Sequence, residues 1–96
     1  FHGYLPAKDE ERNKRLKELE AVSRKSRLTQ LCIETPYRNR QMLEALLGAL
    51  APQTRLCVAT DLSLPGETVT TLPVSAWRKK EAPDFDRRPT VFLLLA

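Results

Sequence analysis

The sequence predicts an α/β fold, a single domain of 96 residues with a mixed five-stranded sheet flanked by helices in the order β-α-β-α-β-β-α-β. Strand-like runs alternate with helical patterns along the whole chain. Two short apolar runs, containing Cys32 and Cys57, end abruptly in polar residues, as buried strands do at a ligand crevice. Residues 90–95 are almost continuously apolar, which is typical of a strand that is central in its sheet or covered on both faces.

The first three elements are a strand, a helix and a second strand. Residues 2–5 form a strand-like run that Pro6 closes, and residues 10–24 follow as a helix with an acidic first turn. The expected buried stripe of this helix consists of Leu16, Leu19 and Val22. Residues 28–33 are rich in apolar residues and predict the second strand.

The second helix has the clearest periodic signal in the chain. Pro36 disfavours helical geometry at Thr35 and itself suits a first helical turn, so Thr35 is the expected N-cap. Over residues 39–50, apolar side chains recur at the spacing of one helical face. Pro52 then ends the helix.

The second half of the chain predicts three more strands and a short helix. Residues 56–59 form a strand, residues 61–66 a loop with strong turn residues, and residues 67–72 a strand rich in Thr and Val. Trp77 is the expected core anchor of a short helix. Residues 81–88 form a loop before the last strand.

Composition excludes several classes of protein. The formal charge of +4 and 29% charged residues of both signs describe an ordinary solvated surface. Two cysteines cannot staple a disulfide scaffold, and they are expected to be reduced. No apolar run approaches the ~20 residues that a membrane helix needs, and the opening residues lack the pattern of a signal peptide. We therefore expect a cytoplasmic protein without membrane contacts.

The sequence contains no complete catalytic or metal-binding set. His2 has no neighbouring ligand at metal-binding spacing, so no metal is expected. Three glycines cannot form a Gly-rich phosphate loop, which argues against nucleoside triphosphate chemistry in these residues. No residue of the chain is assigned a catalytic role.

Two polar groups of residues leave alternatives open. Glu34 and Asp61 follow predicted strands and could form a carboxylate pair or bind backbone amides and basic side chains. Tyr37, Arg38 and Arg40 begin the second helix, where they could present an aromatic ring and cations to RNA or form an ordinary polar face.

Four motifs in order resemble the C-terminal domain of tetrapyrrole (corrin/porphyrin) methylases. These are Gly3-Tyr4-Leu5-Pro6 with Lys8, Glu34-Thr35-Pro36-Tyr37-Arg38, Ala59-Thr60-Asp61-Leu62, and Glu67-Thr68-Val69. They look closest to the branch that methylates a cytidine 2′-oxygen in small-subunit ribosomal RNA. The sequence departs from that branch at Tyr37, where the pattern has His, and at Thr60, where it has Arg.

The resemblance implies the C-terminal half of a two-domain methyltransferase that binds S-adenosylmethionine between its domains. This fragment alone is expected to be inactive, because an N-terminal domain of the same chain carries most of the active site. A homodimer is expected at full length. The implied contacts to the adenosine half of the cofactor come from Thr35, Pro36, Ala59, Thr60, Asp61 and Leu62.

Substrate and class remain open between three readings of the sequence. If ribosomal RNA is the substrate, Lys8 and Arg38 are expected to position it electrostatically. The alternatives are a methylase acting on a corrin or porphyrin precursor and a non-catalytic module for RNA binding or dimerisation.

The cofactor hypothesis makes a geometric prediction. Strands ending at Ile33 and Ala59 should run parallel and deliver their loops to one edge of the sheet, because a helix connects them. With at most one strand between them, the Cα atoms of Thr35 and Thr60 should lie within roughly 10 to 12 Å, beside a pocket mouth.

Overall fold

The computed structural model describes residues 9–33 and 38–96 of the chain. Its elements are α1 (Asp9–Ser26), β1 (Gln30–Ile33), α2 (Asn39–Ala49), β2 (Arg55–Thr60), β3 (Thr68–Pro73), α3 (Val74–Trp77) and β4 (Thr90–Leu95). The helices and strands predicted for these residues are confirmed, with ends that differ by one or two residues. The predicted first strand, residues 2–5, and the predicted N-cap Thr35 lie outside the described residues.

The four described strands form one sheet in the order β1-β4-β2-β3. Every neighbouring pair of these strands is antiparallel. The α/β class is confirmed, but the expected mixed sheet of five strands is corrected to four described strands with antiparallel neighbours. The reason is that β4 enters between β1 and β2, so the two strands that run in the same direction are not neighbours.

The buried stripe of helix α1 differs from the predicted one, because it includes Glu20 and Ser23 and not Val22. Leu16 and Leu19 are fully buried, whereas Val22 is half exposed. The helix is followed by Arg27 in the left-handed conformation, at φ 59°. Its N–H donates to the Ser23 carbonyl at 2.7 Å, which is a common way for a helix to end.

The two faces of the sheet differ in burial. The inner face and the three helices share one hydrophobic core, to which the strands contribute Cys32, Leu56, Val58, Phe92 and Leu94. The outer face is aliphatic and only partly buried, with Leu31, Ile33, Cys57, Val91, Leu93 and Leu95. Strand β4 alternates buried and half-buried positions and lies between β1 and β2, so of the two expected alternatives the central position is confirmed and burial on both faces is not.

Trp77 anchors α3 to the start of β2, as predicted. Its ring is buried and its indole N–H donates to the Leu56 carbonyl at 2.8 Å. The adjacent Arg78 donates to the carbonyls of Leu47 and Leu50 at 2.7 and 3.0 Å, which satisfies carbonyl groups at the end of α2.

A buried carboxylate ties α1 to the segment before β2. Glu20 accepts hydrogen bonds from the Ala51 N–H at 2.7 Å and from the Thr54 hydroxyl at 2.6 Å. Glu20 and Thr54 are both buried. These bonds supply the polar partners that buried groups require.

Candidate functional site

Strands β1 and β2 end at the same edge of the sheet. Both are antiparallel to β4, so they run parallel to each other on its two sides. Ile33 pairs with Val91 from one side and Ala59 pairs with it from the other. The predicted direction and the common edge are confirmed. We call the end of the sheet where β1 and β2 finish the carboxyl edge. The opposite end, where these two strands begin at Gln30 and Arg55, is the amino edge.

Three of the predicted site residues lie outside the described part of the chain. These are Lys8, Thr35 and Pro36. The spacing of roughly 10 to 12 Å between Thr35 and Thr60, and the pocket mouth beside them, therefore stay predictions.

The other predicted cofactor residues follow one another at the carboxyl edge. Ala59 and Thr60 are 3% and 1% exposed, respectively. The side chain of Asp61 is 14% exposed, whereas Leu62 is 47% exposed. The Leu62 N–H has no hydrogen-bond partner among the described residues. Leu62 thus presents both an apolar side chain and a backbone donor at the end of β2.

Asp61 binds a basic side chain, which was one of the two alternatives left open by the sequence. Its Oδ2 accepts from the Arg88 Nε at 2.7 Å, and Nη2 of the same guanidinium lies 2.7 Å away. Both nitrogens face one oxygen of the carboxylate, and a charge-assisted hydrogen bond of this kind holds the Asp61 side chain in place. Glu34, its suggested partner in a carboxylate pair, lies outside the described residues.

A buried polar cluster beneath this edge joins the starts of α2 and β4 to the end of β2. The Asn39 amide nitrogen lies 2.6 Å from the Phe85 carbonyl, 2.8 Å from the Arg88 carbonyl and 3.1 Å from the Thr90 hydroxyl. The hydroxyls of Thr90 and Thr60 are 3.3 Å apart. Thr60, where the RNA-methylating branch has Arg, is therefore part of this cluster.

Sequence reasoning missed both Asn39 and Arg88. Asn39 stood at the start of a predicted helix, and its burial to 1% was not marked by any pattern. Arg88 closed a predicted loop of mixed charge. Asn39 bonds Phe85, 46 residues away, and Arg88 bonds Asp61, 27 residues away. No local spacing could therefore have identified these two residues.

The two arginines at the start of α2 have different surroundings. Arg38 is the N-cap residue of α2 and is exposed, without a side-chain cap hydrogen bond. Arg40 donates two hydrogen bonds to Asp86, at 3.2 and 3.0 Å, so its guanidinium is held at the protein surface. Among the described residues, Arg38 has no ion-pair partner, in contrast to Arg40.

A cavity of about 250 Å³ lies on the outer face of the sheet, near the amino edge. It is lined by Thr29, Arg55, Cys57, Thr71, Leu93 and Leu95. Residues 9–33 and 38–96 hold no group of three or more His, Cys, Asp or Glu side chains suited to a metal ion. None of the helices described is long and apolar enough to span a bilayer.

Comparison with known proteins gives one curated relative and a matching fold. The chain is 30% identical over 95 residues to ribosomal RNA small subunit methyltransferase I of Vibrio cholerae. The match covers 99% of this chain and 32% of that protein, so the chain spans about a third of its relative. No protein-family model matches the chain.

The crystal structure of the methyltransferase CobJ matches 99% of the chain with a TM-score of 0.61, at 16% identity and over 40% of its own length. Uroporphyrin-III C-methyl transferase from Thermus thermophilus, complexed with S-adenyl homocysteine, matches 70% of the chain and 30% of its own, at 18% identity and a TM-score of 0.46. The sequence match and the CobJ fold support the resemblance inferred from the motifs. The chain is homologous to part of a ribosomal RNA methyltransferase and shares the fold of the matching part of CobJ.

Proposed function

We propose that this chain forms one wall of the cofactor cleft of an S-adenosylmethionine-dependent methyltransferase of the tetrapyrrole methylase family. The observation that carries the proposal is the common carboxyl edge, where β1 and β2 end on either side of Val91. In open α/β sheets, ligands bind in the crevice outside the carboxyl ends of strands. The homology to part of a ribosomal RNA methyltransferase supports this assignment.

The groups at this edge fit the adenosine half of the cofactor. Recognition of a nucleoside needs an apolar surface and a few backbone donors and acceptors. Leu62, which follows the buried Ala59 and Thr60 in the chain, offers a half-exposed side chain and an N–H that has no partner among the described residues. Thr35 and Pro36 form the matching contacts from the end of β1 in this proposal.

S-adenosylmethionine supplies an electrophilic methyl group on its sulfonium. The chain described here binds and orients the nucleoside, and positioning of donor and acceptor can supply much of the rate. No charged side chain is needed for this role, which agrees with the engagement of Asp61 by Arg88. The remaining groups belong to an N-terminal catalytic domain of the same polypeptide, and the full-length protein is a cytoplasmic homodimer.

The proposed acceptor is a ribose 2′-hydroxyl of ribosomal RNA, which the name of the curated relative favours. Arg38, exposed beside the carboxyl edge, and Lys8 contact RNA phosphates. The fold shared with CobJ and the Thr at position 60 favour the alternative, a methylase of corrin or porphyrin precursors.

Calorimetry on the full-length polypeptide tests the cofactor wall. We expect Leu62→Asp to weaken S-adenosylmethionine binding by about tenfold or more, because it places a charge in an apolar slot. Leu64→Asp is the matched control, since Leu64 is 52% exposed on the same loop and outside the proposed contacts. Equal affinities for both variants and the parent protein would contradict the proposal. The isolated 96-residue chain should bind very weakly, because it buries only part of the cofactor.

Methyl transfer and RNA binding distinguish the acceptors. Arg38→Ala should weaken RNA binding and reduce the salt slope by about one unit, while cofactor affinity stays unchanged. Arg55→Ala removes an exposed arginine at the amino edge and serves as the control. Labelling of small-subunit RNA supports the first acceptor, and labelling of a porphyrin precursor supports the alternative. Cofactor binding that fails altogether would favour a non-catalytic module.

A further inference from the structure

The loop between β2 and β3 is held in an unusual backbone conformation. Asp61 and Ser63 both have positive φ, at 54° and 65°. Arg87 has φ 60°. It precedes Arg88, whose side chain contacts this loop. A non-glycine residue in this region is strained, and the conformation persists where surrounding contacts determine it.

The side chain of Arg88 supplies two of those contacts, at Asp61 and at Gly66. The Arg88 guanidinium donates to the Asp61 carboxylate at 2.7 Å, to the Gly66 carbonyl at 2.8 Å and to the Asp84 carbonyl at 2.7 Å. It therefore joins the beginning of the loop to its end, and both to the segment that precedes β4. The Arg88 side chain is 29% exposed, so these bonds are partly shielded from water.

Gly66 is required by this arrangement. A Cβ atom at Gly66 would lie 2.6 Å from the Arg88 Nη2 and 3.1 Å from the Asp61 Oδ2. Any larger residue would displace the guanidinium from the loop carbonyl. The hydrogen bond between the Arg88 guanidinium and the Gly66 carbonyl thus depends on the absence of a side chain at Gly66.

Further hydrogen bonds within the loop involve the residues on either side of Leu62. The Leu64 N–H donates to the Asp61 carbonyl at 2.9 Å, and the Ser63 N–H donates to the Glu67 carboxylate at 3.0 Å. The N–H of Asp61 is also engaged, by the Pro89 carbonyl at 2.9 Å. The Leu62 N–H is left without a partner among the described residues, although the N–H groups of its neighbours Asp61 and Ser63 are both bonded.

We infer that Arg88 is a positioning residue of the cofactor site, which holds Leu62 in its binding conformation through Asp61 and Gly66. The inference rests on the proposed function. Arg88 does not contact the cofactor in this arrangement, since its guanidinium is occupied by the loop and by Asp84. Its effect is preorganisation, because a loop that is already ordered loses less entropy when the ligand binds.

Calorimetry and steady-state kinetics on the full-length polypeptide test this role. Arg88→Met should raise the dissociation constant of S-adenosylmethionine by about tenfold and leave kcat at saturating cofactor within about twofold, because it removes order and not a reacting group. Arg88→Lys should recover part of the affinity, since it keeps a cation but cannot reproduce the three hydrogen bonds of the guanidinium to Asp61, Gly66 and Asp84.

A double-mutant cycle separates a role through Asp61 from a general loss of stability. If Arg88 acts through Asp61, the double variant Asp61→Asn with Arg88→Met should bind the cofactor no more weakly than the worse single variant. Arg40→Met is the matched control, because it removes another arginine bonded to an aspartate, Asp86, at the exposed surface. We expect its cofactor affinity to stay within about twofold of the parent protein.

Gly66→Ala provides a second route if Arg88→Met does not fold. Its Cβ displaces the guanidinium, so it should give the same loss of affinity with the same kcat. Unchanged affinity in Arg88→Met or Gly66→Ala, additive effects in the cycle, or an equal loss in Arg40→Met would overturn the positioning role. A parent protein that does not bind S-adenosylmethionine would instead overturn the proposed function and this inference with it.

Discussion

At each edge of the sheet an arginine side chain donates to backbone carbonyls, but the two edges differ in backbone strain. At the amino edge, Arg78 bonds two carbonyls of α2. At the carboxyl edge, Arg88 bonds the carbonyls of Gly66 and Asp84 together with a carboxylate. Left-handed residues at the carboxyl edge lie within loops, whereas at the amino edge Arg27 follows the end of a helix, where that conformation is common. The amino edge is thus built for stability, and the carboxyl edge for a fixed loop.

The largest expected loss of stability comes from the amino edge. Trp77→Ala removes a buried ring and its hydrogen bond to Leu56, and should lower the free energy of unfolding by about 3 to 5 kcal/mol. Urea denaturation of the full-length protein measures it, with Val22→Ala on the exposed side of α1 as control. A loss below about 1 kcal/mol would show that this edge does not carry the core's stability.

Removal of the Glu20 carboxylate should have a smaller effect at the same edge. Glu20→Ala leaves the Ala51 N–H and the Thr54 hydroxyl without their acceptor, at a cost of about 1 to 3 kcal/mol. Glu18→Ala is the control, because Glu18 lies in an exposed pair with Arg15 and should change stability by about 0.5 kcal/mol or less. Equal losses in the two variants would mean that Ala51 and Thr54 find other partners.

The same substitution should have opposite signs at the two edges. Ser63→Gly relieves a left-handed backbone in the β2–β3 loop and should raise the free energy of unfolding by up to about 1 kcal/mol. Ser75→Gly, in the helical geometry of α3, should lower it by about 0.5 to 1 kcal/mol. Thermal unfolding of both variants decides the matter. Destabilisation by Ser63→Gly would remove the difference in strain between the edges.

Ionisation of the buried Cys32 thiol, in the middle of the sheet, should have the smallest effect on stability near neutral pH. Burial raises the pKa of the Cys32 thiol from 9.0 to about 11, and Cys57 lies half-buried on the opposite face. Because the folded pKa is raised, the stability from the neutral thiol is fully present below pH 9 and is lost as the pH rises through 11. A thiol reagent at pH 8 should therefore label Cys57 alone in the native state and both cysteines in urea. Native labelling of Cys32 would contradict the described burial.

Local sequence patterns were sufficient for the elements but not for the contacts between them. The spacing of apolar residues placed α2 within one residue of its observed end, and Trp77 was correctly expected in the core. The continuous apolar run of residues 90–95 allowed a central position for β4, but no local pattern showed which strands it pairs with. Its place between β1 and β2 brings Arg88 to Asp61, 27 residues away in sequence. Phe85 was correctly assigned to a loop, but its burial against Phe92 depends on the same distant contacts and was not predicted.

The central position of β4 also bears on how the chain folds during synthesis. It is the last of the described strands to leave the ribosome, yet it supplies the hydrogen-bond partners of both β1 and β2. Until it emerges, a nascent chain can pair β2 with β3, while β1 keeps an unpaired apolar strand that invites misassociation. Correct closure of the sheet then waits on contacts distant in sequence, which makes folding slow relative to helix formation. Translation rate and chaperone access while β4 emerges should therefore influence the yield of native protein more than any change in α1.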